Sequence, residues 1–115
     1  MKRDIDLVRT LLIKIEALPD TNGHPVSVEG HDPAEICEHL KLAQEAGLIE
    51  ARFLPGGTEC AALRLTWAGH EFLDAARENR IWEKAKAMAM RTAEGVTIIS
   101  LKVALAHLMG RASLP

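Results

Sequence analysis

Histidine and cysteine are the residue types here that could do chemistry. The chain holds five His and two Cys. Cys37 and His39 stand two apart in a stretch of helical periodicity, which turns them to different sides of a helix and makes them poor co-ligands. His31 precedes that helix and would have to join them through a loop. No Cys-x-x-Cys and no distant matching pair occurs, so no metal site is expected. His70-Glu71-Phe72-Leu73-Asp74 has the first His and Glu of a zinc-protease helix, but the second His is missing and no third ligand follows. Pro55-Gly56-Gly57-Thr58 lacks the Lys and the following helix of a phosphate loop. No nucleophile elbow is present. Cys37 and Cys60 read as small buried residues. The sequence therefore predicts no catalytic residues, no cofactor and no metal, and a protein that is not an enzyme.

The charged residues are more informative. Residues 1–66 carry seven Lys/Arg against eleven Asp/Glu, and residues 67–115 carry seven against five, for an overall net charge of -2. That balance excludes a strongly basic DNA-coating protein and an acidic disordered tail. In the stretch 32–46, Asp32, Glu35, Glu38 and Glu45 stand against Lys41 alone. A helix so charged is repelled by phosphates. Glu35, Glu38 and Glu45 instead form an acidic face suited to a protein partner. The donors it could offer DNA are Lys41, Gln44 and His39, joined by Arg52 and Arg64, which Glu50 and Glu59 offset. A second basic row, Arg77, Arg80, Lys84, Lys86 and Arg91, is interleaved with Glu78 and Glu83 and reads as a solvated helix face. Single-strand binding calls for stacking aromatics. The chain has no Tyr, two Phe and two Trp, and all four sit at positions that suit a core.

Periodicity and caps mark out the helices and strands that carry these residues. Ile5, Val8, Leu12 and Ile15 predict a helix over 4–18, stopped by Pro19 and Asn22-Gly23. Pro25–Glu29 alternates like a short edge strand. Asp32-Pro33-Ala34-Glu35 is a capping box opening a helix to Ala46, with Ile36, Leu40 and Ala43 inward and Gly47 as its left-handed stop. Leu48–Phe53 and Cys60–Leu65 predict a hairpin, with Leu63 and Leu65 on one face. Thr66 caps a helix reaching Met90 or Arg91 with a bend near Asn79. Thr97 caps a last helix to Met109, closed by Gly110, and the final five residues are expected to fray. In that last helix Ile98, Leu101, Leu105 and Leu108 follow the three-four-three spacing of a coiled-coil seam, which either folds onto the chain's own first helix or packs against another subunit in self-association.

Helix, short strand, helix, two-stranded wing, helix is the winged-helix order, an α+β fold. The predicted domains are residues 1–76, winged-helix-like, and 77–115, a C-terminal helical extension packed on the domain or on a second subunit. Only Pro19–His31 separate the first two helices, so the middle helix of a helix-turn-helix has no room. "MKRDIDLVRTLLIKIE", "HLKLAQEAGLIE", "LRLTWAGHEFLD" and "IWEKAK", in that order, resemble domain-of-unknown-function family 2513, short bacterial and prophage proteins. The resemblance implies a winged-helix-like fold and frequent phage origin, and supplies no activity and no site residues. No apolar run approaches the ~18 residues of a membrane span. Two cysteines make no disulfide framework, so a reducing cytoplasm is the default compartment. The expectation is a cytoplasmic protein-interaction module, an accessory or modulator protein of the phage or prophage type, with an unidentified protein partner and room for a homodimer through its C-terminal helices. The alternative is a DNA-binding regulator of winged-helix type using Lys41, Gln44, Arg52 and Arg64.

Overall fold

The computed structural model describes residues 2–110; the fraying expected of residues 111–115 falls outside them. The chain divides into two compact units, Met1–His70 and Glu71–Pro115, with the division inside a helix rather than at its end.

The first unit begins with α1 (Ile5–Glu16), which the Asp4 carboxylate caps by accepting from the Leu7 N–H at 3.1 Å. The three- and four-residue spacing of Leu7, Val8, Leu11, Leu12 and Ile15 puts all five on one buried face. No helix occupies the stretch between α1 and α2 (Pro33–Glu45). The edge strand expected over Pro25–Glu29 is reduced to one bridge at His24, which exchanges two 2.9 Å backbone bonds with Ala62. Pro25 has no N–H to extend the ladder.

Asp32 caps α2 through the Glu35 N–H at 2.8 Å, and Pro33 supplies the first turn. The capping box is only half formed. The Glu35 carboxylate turns to His31 Nδ1, 2.7 Å away, and not back to the cap. Ile36, Leu40 and Ala43 are buried as their spacing requires. Gly47, at φ 79°, takes the left-handed stop.

β1 (Ile49–Phe53) and β2 (Cys60–Leu65) pair antiparallel as the wing. Their register slips between Glu50 and Ala51, where Arg64 and Ala62 are the successive partners and Leu63 is the extra residue. The bulge breaks strict alternation. Ala62 and Leu65 are the buried pair, and Leu63, expected beside Leu65, is only half-buried. Thr66 then caps α3 (Trp67–Ala76) by accepting from the Gly69 N–H at 3.0 Å. Its own N–H donates to the Leu48 carbonyl. Gly69 is required here. A Cβ at this position would stand 2.0 Å from the Leu48 carbonyl oxygen.

In the second unit, the single bent helix expected up to Met90 is two helices, α3 and α4 (Asn79–Met90), parted at Arg77 and Glu78. Phe72 and Trp82 are buried and meet edge to face, with ring centroids 6.1 Å apart. α5 (Ile98–Leu108) packs on α4. It opens with a full capping box, in which Thr97 Oγ1 accepts from the Ser100 N–H and Ser100 Oγ from the Thr97 N–H.

Candidate functional site

The outward face of α2 and the wing beside it carry most of the residues singled out by charge. Helical geometry places Ile36, Leu40, Ala43 and His39 inward and leaves Glu38, Lys41, Gln44 and Glu45 exposed. Glu38 and Glu45 have no ion-pair partner among the described residues. Glu35 lies at the edge of this face, half-buried against His31.

The donors available to DNA are fewer than the sequence suggests. His39 is fully buried. Its Nδ1 donates to the Glu35 carbonyl at 2.9 Å, and its Nε2 accepts from the Asp4 N–H at 2.9 Å. A backbone carbonyl can only accept and a backbone N–H can only donate, so the ring is fixed as the neutral Nδ1–H tautomer. It ties the start of α1 to α2 and offers nothing to a ligand. Gln44 Oε1 accepts from the Ala51 N–H at 2.7 Å, tying α2 to β1. Arg64 donates to Glu50 at 2.8 Å and to the Leu65 carbonyl at 3.1 Å. Lys41 lies 5.5 Å from the Phe53 ring centroid. Arg52 is exposed.

The α4 row is interleaved as its sequence implies. Arg80 pairs with Glu78 at 3.6 Å and Lys86 with Glu83 at 3.0 Å, while Arg77 reaches Asp74 at 3.0 Å. His70 is exposed, and no group of three or more potential metal ligands occurs among the described residues.

Two sequence readings meet the structure here. The last-helix seam, read as folding onto the first helix or packing against another subunit for self-association, is turned within the chain onto α4 and is not a free surface. Leu101 and Leu105 are buried within the chain and Ile98 and Leu108 are half-buried, because the spacing that aligns them also turns them with Ala104 away from solvent. Ile99 and Val103 are exposed instead, along an apolar groove of about 520 Å³ that also takes in Met88 and Ala89. The aromatic residues are not all core either. Phe72 and Trp82 are, but Trp67, first residue of α3, is 79% exposed. Its place directly after a capping Thr is the signal that could have shown this, since a first-turn side chain need not face the core.

The two cysteines, read separately as small buried residues and as the ground for a reducing compartment, are joined, which removes that ground. Cys37 on α2 and Cys60 at the start of β2 form a disulfide with their Cα atoms 5.8 Å apart, inside the range the bond requires.

Helix, bridge strand, helix, wing and helix make this a winged-helix-like α+β protein. More narrowly, residues 2–96 match the family described as hypothetical protein (DUF2513), and the chain belongs to that family. An uncharacterized protein of Haemophilus influenzae is 39% identical over 90 residues, covering 75% of this chain and 76% of the relative. No solved structure matches the chain. No helix among the described residues is long and apolar enough to cross a membrane.

Proposed function

We propose that the protein is a non-enzymatic, cytoplasmic winged-helix module that works by protein contact, an accessory or modulator of the phage or prophage type. The contact face is the outward side of α2, with Glu38 and Glu45 at its centre and Glu35 at its edge, and the partner surface it fits is basic. One observation carries this reading. The helix that would enter a DNA groove exposes two carboxylates without ion-pair partners among the described residues, while Gln44 and Arg64 are already engaged within the fold. Repulsion from phosphate and attraction to a basic protein follow from the same charges. Exposed Trp67 supports the reading, because an accessible Trp is the residue type that anchors protein interfaces. The resemblance to short prophage proteins supports the accessory role. Leu101 and Leu105 are buried within the chain, so the reading does not rest on self-association through them.

The test uses the full chain as bait in a bacterial lysate, beside a Glu38→Lys/Glu45→Lys variant shown to be folded by circular dichroism. The wild type retains a partner that the variant loses, and Arg52→Glu retains it. Equal retention by wild type and charge-reversed variant would contradict the proposal.

A further inference from the structure

We propose that Cys37 and Cys60 are a reversible thiol–disulfide exchange site for low-molecular-weight thiols, and that their bond state controls the far end of the wing. The proposal does not depend on what α2 contacts.

The wing is held unevenly. At its base, the Thr66 hydroxyl donates to the Gly47 carbonyl, the Thr66 N–H to the Leu48 carbonyl, and the Ala51 N–H to Gln44. Midway, His24 and Ala62 exchange two backbone bonds. At the far end, the last ladder pair is Phe53 with Cys60, followed by one bond from the Leu54 N–H to the Glu59 carbonyl. There the links to α2 are the Cys37–Cys60 bond and Lys41 over the Phe53 ring. Residues 54–59 are all exposed. Breaking the covalent link therefore frees the far end while the base stays fixed.

The bond is also within reach of a small reagent. A groove of about 360 Å³, lined in part by Pro25, His31, Thr58 and Glu59, has both cysteines in its wall. A second, of about 200 Å³, reaches Cys37 from the side of Lys41 and Phe53. Cys60 is half-buried and Cys37 is 5% exposed, so attack falls on the Cys60 sulfur. A small thiolate attacks there, the Cys37–Cys60 bond breaks, and Cys37 leaves as thiolate. A second small thiolate attacks the mixed disulfide and releases Cys60, giving one small disulfide. The two protein thiolates take up the two protons the small thiols gave up. Two electrons pass from the small thiols to the cysteine pair, and a small disulfide such as oxidised glutathione reverses each step.

The test equilibrates the full chain across a series of reduced and oxidised glutathione, traps thiols by alkylation, and reads mass and amide hydrogen exchange. The expected result is a reversible change between no alkylatable thiol and two, with exchange in residues 54–60 about tenfold faster in the reduced form and exchange at Gly47–Ala51 unchanged. A Cys37→Ser/Cys60→Ser variant shows the faster exchange at every poise; the wild-type comparison stands by itself should that variant not fold. Two free thiols persisting under oxidised glutathione, a glutathione adduct without the internal bond, or equal exchange in both states would overturn the proposal.

Discussion

His39 shows how one residue type can be read wrongly from its spacing alone. On an acidic helix it resembles a donor to DNA, yet both ring nitrogens are satisfied by backbone groups, one of them 35 residues away. Replacing it with Ala removes a buried ring and strands the Asp4 N–H. The expected loss is about 3 kcal/mol of unfolding free energy, read by urea denaturation. A loss within the noise of a surface substitution would contradict this role. Asp20 makes one small contribution to the acid side of the stability profile. The Asn22 N–H, and secondarily the His24 ring at 2.7 Å, hold its carboxyl below the ordinary value of 3.8. A lowered folded-state value means that its contribution is fully present above the ordinary carboxylate range. It is lost as pH falls through the lowered value. Carboxyl NMR should place the Asp20 midpoint below 3.8, and a midpoint at or above that value would remove the contribution.

At the scale of elements, local chemistry was legible and tertiary pairing was not. Asp32, Thr66 and Thr97 cap the helices they precede, and Gly47 stops α2, because each depends on neighbours within four residues. The wing bulge at Leu63, the one-residue bridge at His24 and the Cys37–Cys60 bond depend on groups brought together only by folding. The acidic face of α2 was readable from its charges. That Gln44 and His39 are tied by hydrogen bonds to other parts of the chain was not, since their partners are backbone groups that folding brings near, whereas the offset of Arg64 by Glu50 was. Gly69 belongs to the same class. Its type suggests no more than a weak point in α3, yet the structure makes it the point where that helix meets the Leu48 carbonyl. Gly69→Ala should cost about 3 kcal/mol, because backbone atoms and not a movable side chain oppose the new methyl. Thermal unfolding reads the loss, and an unchanged or raised midpoint would show that the two backbones part freely.

Over the whole molecule, the winged-helix-like order and the charge on it pull in opposite directions. The fold type offers a helix and a wing, which is the arrangement that docks on duplex DNA. The net charge of -2 and the carboxylates on α2 oppose a phosphate surface. The proposed protein-contact role requires that charge decides. Fluorescence anisotropy of a labelled mixed-sequence duplex, titrated with the full chain from ~20 to ~200 mM salt, tests it most directly. No binding even at the lowest salt is the predicted result. Tight binding that falls steeply with salt would contradict it and make the protein a DNA-binding regulator.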